Sequence, residues 1–357
     1  MDKIPVGILG ATGMVGQRFI TLLKNHPWFE VAVVAASPRS AGKPYTEAVE
    51  GRWVMEESIP DVVSNLTVLE VEKDREEIVG KVKLVFCALD MDKEEIKRIE
   101  DAYAMDIAVV SNNSAHRWTE DVPMVMPEIN PGHLELITVQ RKNHNRNGFI
   151  VVKPNCSIQS YVPLLTPLME FGIDNVSVTT FQAVSGAGRT LNNWEEMQDN
   201  VIPFIGGEEE KSEKEPLKIW GQIHGGKIDF SNSPVISATC VRAPVNDGHM
   251  AVISVKFSKK PTGEHIIEAW SNFNPLGALG LPSAPTPFIT YFEEENRPQT
   301  RLDRDLGGGM GISAGRLRED SILDFKFIGL SHNTIRGAAG GAILTAELLK
   351  KKGYLNG

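Results

Sequence analysis

The strongest constraint on this chain lies in its first two dozen residues. An apolar run at 4–10 leads directly into Gly10-Ala11-Thr12-Gly13-Met14-Val15-Gly16. A helical pattern over 14–24 follows, closed by Asn25-His26-Pro27. A buried strand that turns on glycines into a helix leaves the first helical N–H groups free. Together with the positive end of the helix dipole, these suit a diphosphate. The spacing is GxxGxxG, one residue longer at the start than GxGxxG. Its place between strand and helix favours a dinucleotide loop over an ordinary turn, and Thr12 adds a hydroxyl donor. Further apolar runs at 31–36, 82–89 and 107–111, with an amphipathic helix over 92–105, continue the alternation. They predict an α/β, doubly wound, Rossmann-type domain with a parallel sheet. The second strand ends before Ser37-Pro38-Arg39-Ser40-Ala41-Gly42-Lys43. An NAD-specific site places a carboxylate there for the ribose hydroxyls. Two hydroxyls and two cations suit the 2′-phosphate of NADP instead.

Beyond residue 156 the texture changes. Runs at 175–184, 235–243 and His249–Phe257 read as longer strands with partial alternation, interspersed with helices near 157–171, 191–201 and 263–273. This is the pattern of an α+β domain with a largely antiparallel sheet. The 357 residues suit two domains. The charge-dense stretch 208–216 reads as solvated, and the proline-rich stretch 275–298 as a long surface excursion. The segment 333–352 reads as one Ala/Gly-rich helix that returns to the first domain. The division expected is 1–154 with 333–357 for the dinucleotide, and 155–332 for catalysis and dimerisation.

Composition excludes several functions. A net charge of −9 argues against nucleic acid, though a small anionic substrate can still be met by a local cluster of Arg and Lys. No run approaches ~18 uncharged apolar residues, so no transmembrane helix is expected. The N-terminus also lacks a signal-peptide layout. The three cysteines are scattered without a CxxC pair, and the eight histidines show no paired-ligand spacing. A reducing cytoplasm, with neither disulfides nor a metal, is the expectation.

The residues that carry chemistry cluster after the strand at 149–153. There Pro154-Asn155-Cys156-Ser157 leads into a helical pattern, so Cys156 falls at a helix start, where the dipole favours thiolate. Cys87 and Cys240 lie within apolar strands and read as core. A thiolate nucleophile needs a proton-transfer partner. Among the histidines, His249 stands out in Arg242-Ala243-Pro244-Val245-Asn246-Asp247-Gly248-His249. A hairpin there brings Arg242 and His249 into one pocket. Ser185-Gly186-Ala187-Gly188 forms a second glycine-rich turn, preceded by Gln182, which can orient a carbonyl or imidazole.

With these motifs in order, the chain resembles the aspartate-β-semialdehyde dehydrogenase family, most closely its archaeal and fungal-type branch. The resemblance runs over nearly the whole chain. It rests on GILGATGMVG, ASPRSAGK, SNNSAHR, DVPMVMPEIN, KPNCS, TTFQAVSGAG, NVIPFIGGEEEK, VRAPVNDGH and SHNTIRGAAGG. It implies an NADP-dependent, phosphorylating enzyme that reduces β-aspartyl phosphate to aspartate β-semialdehyde through a Cys thioester. That reaction serves lysine (by way of diaminopimelate), threonine and methionine biosynthesis. Cys156 matches the nucleophile, His249 the general acid/base and Gln182 a substrate-orienting residue. Arg242 matches the bidentate partner of the substrate α-carboxylate. Arg117, Glu215 and Lys218 match the phosphate region, with Lys211 and Lys214 close by, and Asn155 joins the substrate set. Cofactor contacts are implied at Gly10, Thr12, Gly13, Met14 and Val15, and at Ser37, Arg39 and Ser40. Cys87, Ala88 and Leu89 follow at the fourth strand. Ser185, Gly186, Ala187 and Gly188 follow at the second turn, and Asn333 contacts the nicotinamide. The helix-start amides after Cys156 are the expected oxyanion donors. Homodimers or homotetramers built through the second domain are implied. The chain departs from the branch at Ile158-Gln159-Ser160-Tyr161, where Thr and small residues are usual. That departure is expected to alter the pocket wall. Rival readings are a malonyl-CoA reductase of the same branch, an N-acetyl-glutamyl-phosphate reductase, and a non-catalytic NADP-binding regulator.

Overall fold

A computed structural model describes residues 3–355. Strands β1 (Ile4–Leu9), β2 (Phe29–Ala36), β3 (Leu69–Glu70), β4 (Leu84–Cys87), β5 (Ala108–Ser111) and β6 (Phe149–Val152) form one sheet. Their order is β3-β2-β1-β4-β5-β6, and every pairing is parallel. Both faces are covered, which explains the continuous apolar runs. One face carries Val6, Ile8, Phe86, Val110 and Val151. It packs under Phe19 and Ile20 of helix Met14–Leu23 and under Ile343 and Leu344 of the terminal helix Gly340–Lys351. The other face, with Val85, Val109 and Ile150, packs on Ile96 and Ile99 of helix Lys93–Ala104. Strand order reverses between β1 and β4, so a crevice opens at their carboxyl ends, where such sheets bind ligands.

Strands β7 (Ile173–Gln182), β10 (Val235–Arg242), β11 (His249–Phe257), β12 (Ile289–Phe292), β13 (Ile312–Glu319) and β14 (Phe325–Ser331) form the second sheet. Between β7 and β10 the chain makes a small separate hairpin of β8 (Gln222–His224) and β9 (Lys227–Asp229). The second sheet runs β10-β7-β11-β14-β13-β12. Pairs β10–β7 and β12–β13 are parallel, and the other three are antiparallel.

Several sequence expectations are corrected. The stretch 157–171 is not one helix. It is a 3₁₀ turn (Ser157–Ser160), an α turn (Val162–Leu165) and another 3₁₀ turn (Thr166–Phe171), because Pro163 and Pro167 remove backbone donors. The stretch 191–201 holds two 3₁₀ turns, Leu191–Asn193 and Glu195–Met197. There Asn193 folds back on the Thr190 cap and closes the first turn, and Met197 alone is buried. The stretch 208–216 is not a solvated loop. It opens helix Glu208–Ile219, whose face of Glu208, Ser212, Glu215 and Ile219 is buried. The stretch 275–298 dips inward at Leu276, Leu281, Phe288 and Ile289 and contributes β12. The segment 333–352 breaks at a π turn, Ile335–Ala339, kinked at Ala338, before the terminal helix begins. His332 Nδ1 accepts from the amides of Thr334 and Ile335, which holds that entry. Finally, β10 and β11 form no hairpin. They flank β7 on either side.

Candidate active site

Two cavities lie along the carboxyl edge of the first sheet. The first, about 210 Å³, is lined by Gly10, Thr12, Gly13, Ser37, Pro38, Ala88 and Leu89, with Glu70, Glu72 and Asp90. The turn is closed enough that only glycine fits. A Cβ at Gly10 would lie 2.3 Å from the Ala88 carbonyl, and one at Gly16 would lie 2.2 Å from the Gly10 carbonyl. Helix Met14–Leu23 has no side-chain cap and no acidic residue in its first turn. Its free amides and dipole therefore face the cavity uncompensated, which fits a dinucleotide diphosphate. Not every expected cofactor residue reaches this space. Met14 lines neither cavity. Arg39 is exposed beside the lining, and Ser40 is buried and accepts from Arg52. Cys87 is fully buried. Its side chain joins the apolar core with Val85 and Val109, so its expected contact is corrected: only the strand end at Ala88 and Leu89 lines the cavity.

The second cavity, about 280 Å³, is lined by Val15, Asn112–Ser114, Arg117, Asn155, Cys156, Ser185, Gly186, Glu208, Lys211, Asn333 and Thr334. Cys156 enters it from the 3₁₀ turn after β6. Its Sγ lies 3.4 Å from His249 Nε2. His249 begins β11 and is fully buried. Its Nδ1 accepts the Ala183 amide at 3.0 Å. That bond fixes the neutral tautomer with the proton on Nε2, pointing at sulfur. Burial, reinforced by Arg242 and His332, pushes His249 well below the usual histidine range. Arg242, at the end of β10, approaches from the other side of β7. A Cβ at Gly186 would sit 3.1 Å from both Arg242 Nη1 and His249. One guanidinium N–H donates to the Ala183 carbonyl at 2.7 Å.

The thiol does not behave as a helix-start thiolate. Burial pushes the Cys156 thiol up and Glu208 adds to this, while Lys153, Arg117 and Arg242 pull it down. A turn of four residues carries little dipole. The Ser157 amide is also occupied, donating to Asn155 Oδ1 at 2.7 Å. The expected oxyanion donor at that position is therefore spent on Asn155.

Asn155 is the local organiser. Its amide nitrogen donates to both Glu208 oxygens, at 3.0 and 2.9 Å, and its backbone N–H donates to Glu215 at 2.6 Å. Glu215 in turn holds Arg117 at 2.9 Å. Gln182 is buried and donates to Glu208 rather than lining the cavity. Burial alone would raise the Glu208 carboxyl. Lys211, Asn155 and Gln182 more than offset that and hold it low. Lys218 is turned away from the cavity. Its ammonium donates to the carbonyls of Arg117, Thr119 and Val122, and burial depresses it to about 8. Lys211, one of the two neighbouring lysines, faces the cavity instead.

Asn333 lines this cavity with both amide ends engaged, accepting from Gly248 N and donating to Ser185 Oγ. Ser185 and Gly186 line it as well, whereas Ala187 and Gly188 are exposed beyond it. The departure at Ile158-Gln159 is absent from the pocket wall. Ile158 is core, and Gln159 accepts from Arg336 of the terminal segment. Sequence reasoning missed Glu208 and the Asn112–Ser114 turn, and left the choice among Lys211, Lys214 and Lys218 open. The SNNS run was the one available signal for that turn. Among the described residues, no group of three or more His, Cys, Asp or Glu is placed to hold a metal, and no helix is long and apolar enough to cross a membrane.

Comparison with known proteins places the chain in a family. A family model described as semialdehyde dehydrogenase, NAD binding domain, matches residues 5–137. A second, semialdehyde dehydrogenase, dimerisation domain, matches residues 165–336. The chain is 46% identical over 351 residues to aspartate-semialdehyde dehydrogenase of Archaeoglobus fulgidus, covering 98% of this chain and 99% of that one. It is 43% identical over 360 residues to the Schizosaccharomyces pombe enzyme, with 98% and 99% covered. The crystal structure of the Candida albicans enzyme with NADP superposes with a TM-score of 0.88 at 40% identity, covering 98% and 99%.

Proposed function

This chain belongs to the semialdehyde dehydrogenase family, and on that premise we propose that it reduces β-aspartyl phosphate to aspartate β-semialdehyde with NADP as cofactor. The observation that carries this reading is the Cys156 Sγ–His249 Nε2 contact of 3.4 Å inside a cavity that also holds Arg117, Lys211 and Glu208. An alcohol dehydrogenase has no use for a thiol so placed. An acyl phosphate, which must be captured covalently before it can be reduced, does.

Cys156, as thiolate, attacks the acyl carbon and phosphate leaves. Arg117 and Lys211 hold the departing phosphate, with Glu215 fixing the Arg117 fork. Arg242 takes the substrate α-carboxylate, and Glu208 offers the opposite charge to its ammonium. His249, locked as the Nε2–H tautomer, donates a hydrogen bond to the oxyanion, which collapses to the aldehyde as the C–S bond breaks and the sulfur leaves as the thiolate it began as. Gly10, Thr12, Gly13 and Ser37 would hold the dinucleotide, which supplies hydride to the thioester carbon when bound. The two separate six-stranded sheets support a division into 1–154 with 333–357, and 155–332. Self-association through the second domain, as a homodimer or homotetramer, is supported by the dimerisation-domain match. A cytoplasmic setting is supported by three free cysteines. In that setting the product would feed lysine, threonine and methionine biosynthesis.

Phosphate-dependent NADP reduction with aspartate semialdehyde tests the activity. Cys156→Ala is expected to abolish it while leaving the NADP Kd within about twofold; turnover surviving in that variant would remove Cys156 from the chemistry.

A further inference from the structure

The mechanism above leaves unused a buried cation three residues before the nucleophile. Lys153 follows β6 and is 3% exposed. Strand alternation sends it to the face of Phe149 and Val151, beneath the terminal segment. A Cβ at Gly341 would meet Lys153 Cε at 2.6 Å, and one at Gly337, a turn earlier, would meet Cys156 Cβ at 2.8 Å. The same backbone surface therefore seats both the lysine stem and the nucleophile.

The ammonium is poorly satisfied. Its one hydrogen bond among the described residues is to the adjacent Pro154 carbonyl, at 3.2 Å. The neighbouring cations are well provided for. Arg117 has Glu215 and two carbonyls, and Arg336 has both oxygens of Glu128 plus Gln159. A buried ammonium without an anion is expensive to keep charged. Burial depresses Lys153 to about 7; Cys156 is the largest influence drawing it back up, Arg117 and Arg336 oppose it, and Glu215 adds a smaller upward pull. Conversely, Lys153 is the first of the cations that draw the thiol down, ahead of Arg117 and Arg242. His249 cannot play this part. An imidazolium would need a proton on Nδ1, where the Ala183 amide already points.

We propose that Lys153 is the positive partner of the Cys156 thiolate, a positioning residue whose ammonium, rather than a His249 imidazolium, keeps the sulfur ionised. The S–H bond breaks, the proton is taken by the neutral amine at Nζ, and two neutral groups become an ion pair with no net proton released. This rests on Cys156 being the nucleophile, but it is tested without turnover.

The readout is iodoacetamide alkylation of Cys156 in the whole chain, followed by mass spectrometry across the neutral pH range. Lys153→Met is expected to move the midpoint up by about one pH unit or more, roughly a tenfold slower reaction below it. His249→Asn should leave the midpoint near the wild-type position. NADP affinity and melting temperature check that each variant is folded. A wild-type midpoint in folded Lys153→Met, or an upward shift confined to His249→Asn, overturns the proposal. Should Lys153→Met not fold, lysines labelled with carbon-13 at Cε serve instead. The lowest-titrating resonance must fall further in Cys156→Ser, because the linkage is reciprocal, and an unchanged titration there also overturns it. Turnover surviving in Cys156→Ala is a separate outcome, which would strike the nucleophile assignment.

Discussion

At the residue scale, the site works because β7 lies between the two strands that deliver its polar ends. Arg242 closes β10, His249 opens β11, and the Ala183 peptide just past β7 ties both. Its carbonyl takes the guanidinium and its amide takes the imidazole. With one N–H spent on that carbonyl, the rest of the planar fork is what the substrate α-carboxylate can use. Lysine offers a point charge that cannot serve both partners. Arg242→Lys is therefore expected to raise KM for the semialdehyde by roughly 10- to 100-fold, the loss of one charge-assisted hydrogen bond, with a smaller change in kcat. Initial-rate kinetics decide this, and an unchanged KM would place the carboxylate elsewhere. Pairing Arg242 with His249 was legible in the motif, but the reason was not. A hairpin and a flanking arrangement put the same two residues close together, and local spacing does not distinguish them. The ionisation of Cys156 was also misjudged from sequence. The dipole argument assumed a full helix, and the proline at 163 that denies it sits in plain view.

At the element scale, helix Glu208–Ile219 shows why charge density misleads. Read as a string, EEEKSEKEPLK looks solvated. Folded, its acids sort by face. Glu209 and Glu213 accept from the Cys240 and Ala238 amides of edge strand β10. Glu208 and Glu215 turn inward to Asn155 and Arg117. Buried acids of this kind pair with groups far away in sequence, so no local periodicity reveals them. The same helix carries both lysines in question, seven positions apart, on different surroundings. Lys211→Ala should raise KM for phosphate about tenfold, since it removes a cavity-facing charge, and lower the melting temperature only modestly, because Glu208 loses its ion pair at 2.7 Å but keeps Asn155 and Gln182. Lys218→Met should instead lower stability by about 1–3 kcal/mol, because three carbonyls, two of them in buried bonds, lose their donor. Calorimetry beside phosphate kinetics separates the two, and the reverse pattern would return the phosphate contact to Lys218.

At the scale of the whole molecule, the alternating α/β opening and the mixed second sheet were legible because buried strands announce themselves through hydrophobic runs. How the chain closes on itself was not. The terminal segment joins the two halves through Arg336, whose guanidinium is bidentate to Glu128 at 2.5 and 2.6 Å and reaches Gln159 at 3.1 Å. Glu128 precedes β6, Gln159 follows the nucleophile, and both ion-pair partners are about 1–2% exposed. The unusual Gln159 thus belongs to the clamp that seats Gly337 against Cys156. Removing one partner strands a buried charge, so Glu128→Leu or Arg336→Met alone should cost about 3–5 kcal/mol. The double variant leaves no orphan charge and should recover most of that loss, a non-additivity that urea melts of all four proteins would read directly. Because the clamp also sets the Gly337 contact, the double variant should regain stability without regaining full kcat. Additive losses in stability would instead mean that the two residues act separately, and full recovery of kcat would mean that the nucleophile turn does not depend on the terminal segment for its position.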